Sequence, residues 1–69
     1  MIISKDLANV FIKKMINDEK ISDDEWERKF QHIRDDICMY RDKYGYVDID
    51  RIADFHGNIV YTLAKRYGI

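Results

Sequence analysis

Between Ser22 and Gly45 the large apolar residues fall at Trp26, Phe30, Ile33, Ile37, Tyr40 and Tyr44, at intervals of four, three, four, three and four. That spacing keeps them on one narrow stripe of an α-helix, and a strand, whose faces alternate residue by residue, cannot produce it. Ser22 followed three residues later by Glu25 is a capping-box signature, in which hydroxyl and carboxylate each satisfy an orphan backbone N–H. Asp23, Asp24 and Glu25 put negative charge at the positive end of the helix dipole, and Arg41 and Lys43 sit near its negative end. Gly45 stands where a left-handed C-cap would stop the helix. A central helix over about 23–44 follows, and the rest of the chain has to cover its stripe.

The 69 residues make one small helical domain, 1–69, near the lower limit at which an apolar core offsets chain entropy without staples. Cys38 is the one cysteine, so no internal disulfide forms, and no Cys/His spacing matches a structural zinc site. With 46% hydrophobic and 36% charged residues and no proline, the composition suits a folded helical domain and excludes a disordered tail. Twelve Lys and Arg against thirteen Asp and Glu leave a formal net charge of −1, which argues against a nucleic-acid binder that works by neutralising phosphate. Lys5, Asp6, Lys13 and Lys14 interrupt the opening stretch, which therefore reads as neither a signal-peptide core nor a membrane span. The expected setting is soluble, reducing and cytoplasmic, with no membrane partner.

Ser4 is placed to cap a first helix over about 4–17. On a helical wheel Leu7, Ala8, Phe11, Ile12, Met15 and Ile16 spread across about half its circumference. So broad an arc is expected to contact both other helices or another molecule, a homo-oligomer through this helix being one form. Tyr46, Val47, Asp48, Ile49 and Asp50 alternate like a strand, but a lone strand would lack a partner. Asp48 instead reads as the cap of a third helix over about 49–67, with Val47 and Ile52 as its hydrophobic staple. Gly68 and Ile69 read as a Schellman-type stop. The expected fold is all-α, a three-helix bundle with short connections.

The residues with chemical potential do not form a recognisable catalytic set. His56 lies in the apolar arc of the third helix, either as a proton switch or general base, or as a core-edge histidine bonded to a carbonyl or an acidic side chain. His32 and Asp36, four apart on the polar side of the central helix, read as a solvated ion pair or an incomplete metal site. Cys38 lies mid-helix with no base matched to it, which argues against a catalytic thiol. No catalytic, cofactor-binding or metal-binding residues are assigned, and the chain reads as a non-enzyme without a cofactor.

Three side chains point outward where contact is the natural role. Met39 faces away from the stripe among Asp35, Asp42 and His32. Tyr61 projects beside Asp54 and Lys65, whereas Tyr40, Tyr44 and Tyr67 take core-facing positions. Tyr61, Tyr46 and Met39 are the candidate partner-binding residues, because exposed tyrosine offers large contact area with few rotatable bonds. Asp18, Glu19, Asp23, Asp24 and Glu27 form a candidate acidic contact region that would steer a basic partner, or a solvated acidic helix end.

The expected function is a small non-catalytic protein–protein interaction module that binds and regulates a larger protein. An inhibitor carried by a phage or mobile element would share this size and bareness. The alternative is a helix-turn-helix-like DNA-binding regulator built on the central helix, Gly45 and the third helix. Against it, Asp48, Asp50 and Asp54 crowd the leading turns of the recognition helix, with Arg51 alone to oppose them.

Overall fold

The computed structural model describes the backbone of residues 1–18 and 24–69 and the side chains of 1–18 and 27–69. Among them the order is β1 (Ile2–Ser4), α1 (Lys5–Ile16), α2 (Asp24–Tyr44), β2 (Tyr46–Asp48), α3 (Ile49–His56) and α4 (Ile59–Arg66). The chain is mostly helical, but it is not a simple three-helix bundle. The proposed Ser22–Glu25 capping box and the Trp26 end of the stripe lie outside the described residues and side chains.

The first correction is the sheet. Tyr46–Asp48 is a strand after all, and its partner is the chain's own beginning, with Ile2, Ile3 and Ser4 antiparallel to Asp48, Val47 and Tyr46. The Ile49 N–H extends the contact by donating to the Met1 carbonyl at 2.8 Å. Alternation decides the faces: Ile3 and Val47 are buried opposite one another, while Ile2, Ser4 and Tyr46 point outward. Two three-residue strands are too short to stand alone, so this ribbon persists because its inner pair belongs to the helical core.

Each strand ends in a residue that starts a helix. Ser4 Oγ accepts from the Leu7 N–H at 3.1 Å, and Asp48 Oδ1 accepts from the Asp50 N–H at 3.1 Å. Both caps agree with the sequence reading. Pairing Ser4 and Asp48 into one ribbon therefore fixes the starts of α1 and α3 relative to each other.

The second correction is a break in the third helix. α3 ends at His56, and Gly57 adopts φ 85° and ψ −170°, a conformation open essentially to glycine alone. Its N–H still donates to the Ala53 carbonyl at 2.7 Å, closing α3, before α4 starts at Ile59. The apolar period continues across the interruption, so Val60, Leu63 and Ala64 stay buried on α4 as Ile49 and Ile52 do on α3. At the chain end Ile69 N–H bonds to Ala64 O and Gly68 N–H to Lys65 O, the two bonds of a Schellman motif, with Gly68 at φ 74°. Ile69 folds back against the core.

The core itself follows the stripe. Phe30, Ile33 and Ile37 of α2 pack with Ala8, Phe11 and Met15 of α1, the inner strand pair, and the buried faces of α3 and α4. Phe11 meets Tyr67 edge to face, with ring centroids 5.7 Å apart. The wide arc of α1 is only partly used: Leu7 and Ile16 remain exposed. No helix among the described residues is long and apolar enough to cross a membrane.

Candidate functional site

The last turns of α2 run beside α3, and the two helices leave a groove of about 440 Å³ between them. Met39, Tyr40 and Tyr44 line it from α2, and Ile52 and Phe55 from α3. Tyr44 corrects the sequence reading, which placed it in the core. It sits two turns past Ile37, the last buried stripe residue, where α2 has outrun the elements that cover it, and is 48% exposed. Met39 is 68% exposed and Phe55 81%, a pair of large apolar side chains left in water within one concavity.

Beside the groove the aromatic surface continues. The rings of Tyr40 and Tyr44 lie 4.6 Å apart, and Tyr46 on β2 stands 5.9 Å from the first and 6.0 Å from the second. Burial of the Tyr40 hydroxyl, with Tyr46 and Asp48 nearby, pushes its ionisation above the ordinary tyrosine value. Lys43 Nζ lies 5.2 Å from the centre of the Tyr44 ring.

Three charged residues stand on the groove: Asp36, Lys43 and Arg51. Asp36 is taken, because its Oδ2 lies 2.5 Å from His56 Nε2. His56 is thus the core-edge histidine bonded to an acidic side chain that the sequence allowed, and Asp36 turns to it instead of to His32. Arg51 and Lys43 form no ion pair with a carboxylate among the described residues.

The structure divides the three predicted contact residues. Met39 lines the groove and Tyr46 joins its aromatic margin, but Tyr61 does not take part. The Tyr61 hydroxyl donates to Asp50, which also holds the N-terminal ammonium of Met1. That hydrogen bond, reinforced by burial and by the charge of Asp50, pushes the Tyr61 phenol up to about 12. The ammonium and the phenol together hold the Asp50 carboxyl below its ordinary value.

The acidic contact region has a similar fate where it is described. Asp18 is not a free surface charge: it accepts from Arg66 Nε at 2.8 Å and Nη2 at 3.0 Å, and from the Tyr67 hydroxyl at 2.7 Å. Its side chain is only 8% exposed. Burial and this carboxylate raise the ionisation of Tyr67. Glu27 is exposed, while Glu19, Asp23 and the side chain of Asp24 lie outside the described residues. A second hollow, of about 510 Å³, opens beside Asp18 between the ends of α1 and α4. Lys14 there donates to the Tyr67 carbonyl at 3.1 Å, a cation answering the negative end of a helix.

Phe55, 81% exposed on the groove, is a residue the sequence reading did not single out. It stands three residues after Ile52 and so flanks the buried arc, a signal present in the spacing. Cys38 is partly buried on α2 and unbridged, and no group of three or more His, Cys, Asp and Glu suited to a metal occurs among the described residues. The assembled chemistry is apolar area, phenol hydroxyls and two cations on a shallow surface. No family model, curated protein or solved structure matches the chain.

Proposed function

We propose that this chain is a small non-catalytic interaction module that binds a larger protein and regulates it, inhibition by occupation being the simplest form. The observation that carries the reading is the exposure of Met39 and Phe55 within one groove, flanked by the Tyr44 and Tyr46 rings. Each large apolar side chain covered on binding contributes roughly 1.5–3 kcal/mol before the costs of association. Aromatic residues and methionine are the types enriched where proteins meet. Self-association through α1 and a duplex-binding role are the readings that compete with it.

The test is partner capture by the immobilised chain and by Met39→Ala, Tyr44→Ala and Phe55→Ala variants, each checked for folding by circular dichroism. Tyr61→Phe serves as a control outside the groove. The proposal expects capture by the parent and by Tyr61→Phe, and loss in at least Met39→Ala and Phe55→Ala. Undiminished capture by every groove variant, or tight salt-dependent binding to duplex DNA in its place, would discard it.

A further inference from the structure

We infer that the groove between α2 and α3 receives an acidic amphipathic segment of a partner protein, with apolar anchors against Met39, Tyr44, Ile52 and Phe55 and carboxylates on Lys43 and Arg51. This rests on reading the groove as a partner site and adds the chemistry of the occupant. Of the three ionic side chains on the groove, the anion is engaged by His56 at 2.5 Å, and the two cations have no carboxylate partner among the described residues. Asp36 is still 43% exposed, but two cations against one carboxylate leave the charge beside the apolar floor net positive.

A partner segment with lysine or arginine beside its anchors would bring like charge onto Lys43 and Arg51, and its apolar side would not compensate. A segment with glutamate or aspartate there places its anchors and its charges correctly at the same time. Arg51 adds a planar guanidinium suited to gripping a carboxylate with two hydrogen bonds. An amphipathic helix supplies this arrangement, with anchors at i, i+3, i+4 and i+7 and acidic residues on either flank. A nucleic acid also offers negative charge, and Tyr44 could stack on a base, but two cations neutralise little phosphate and the chain's net charge is −1. The aliphatic part of the floor, Met39 and Ile52, answers to apolar side chains and not to phosphate.

The experiment titrates the isotopically labelled full chain with three probes: a helical peptide carrying leucines at i, i+3, i+4 and i+7 flanked by glutamates, the same peptide with lysines for the glutamates, and single-stranded oligothymidylate. The expected result is amide shifts centred on Met39, Tyr44, Ile52 and Phe55 with the glutamate peptide only. Its affinity should fall about tenfold or more in a Lys43→Glu, Arg51→Glu double variant that keeps its circular dichroism spectrum. Equal or tighter binding of the lysine peptide, preference for oligothymidylate, self-association through these residues on raising concentration, or no groove shifts with any probe would each overturn it. The two proposals fail differently. If a captured partner is lost on Met39→Ala and Phe55→Ala but kept by the charge-reversed variant, the module stands and the acidic occupant falls; if all these variants keep it, both fall.

Discussion

His56 at the end of α3 and Asp36 on α2 meet at 2.5 Å between Nε2 and Oδ2, across twenty residues of sequence. The His56 side chain is 14% exposed, so the contact is largely shielded on one side and open on the other. It holds the last turn of α3 against α2 just before the Gly57 break, which keeps Phe55 and Met39 on the same groove.

Removing that tie should loosen the short helix. His56→Ala is expected to cost about 1–2 kcal/mol in urea unfolding, and Asp36→Asn less, because an amide can still accept from the imidazole. Amide exchange should quicken first along Ile49–His56. An unchanged unfolding midpoint for His56→Ala would show that apolar packing alone positions α3.

The ribbon makes two neighbouring isoleucines unequal. Ile3 is buried against Val47, and Ile2 is 67% exposed. Ile3→Ala should cost about 2–5 kcal/mol, and Ile2→Ala within about 0.5 kcal/mol of nothing. Comparable losses, or none in either, would contradict the pairing of β1 with β2.

Gly57 offers a test of backbone geometry separated from crowding. A methyl group added there meets nothing within 4 Å, yet φ is +85°. Gly57→Ala should therefore destabilise by about 1–3 kcal/mol through backbone strain alone. A stabilised variant would mean that α3 and α4 merge into one helix instead.

Alkaline titration should separate the tyrosines. The folded state holds the Tyr61 phenol at about 12 against an ordinary value of 10.0. Its contribution to stability is then complete below about pH 10, where the phenol is protonated in both states, and is lost as pH rises through 12. Phenolate absorbance should show a late component near pH 12 that shrinks by one tyrosine in Tyr61→Phe, the raised Tyr67 and Tyr40 still titrating late. If the variant retains all of that late absorbance, Tyr61 does not donate to Asp50 in solution.

Local features were legible where neighbouring residues carry the whole signal. The four-three spacing located Phe30, Ile33 and Ile37 in the core, and short-range hydroxyl and carboxylate positions identified Ser4 and Asp48 as caps. Gly68 and Ile69 were legible for the same reason. The strand at Tyr46–Asp48 was not, because its partner comes from the start of the chain and three residues are too few for a period to declare itself. Gly57 concealed a break because the apolar period runs on through it. Of the candidate site, Met39 and Tyr46 were readable as outward residues. Phe55 and the exposure of Tyr44 depended on where the covering elements end.

By itself, the sequence determined the helical character, the helix caps and most of the core, since these follow from hydrogen bonds and apolar periods within a few residues of each other. The tertiary structure alone decided that Met1–Ser4 would pair with Tyr46–Asp48, that Asp36 would turn to His56, and that Asp18 and Asp50 would be taken by Arg66, Tyr67, Tyr61 and the chain's own ammonium. Those outcomes bring together groups distant along the chain, and no local pattern encodes which charge reaches which. What remains uncovered is the consequence: once these internal partners are assigned, Met39, Phe55, Lys43 and Arg51 are left facing outward on one groove.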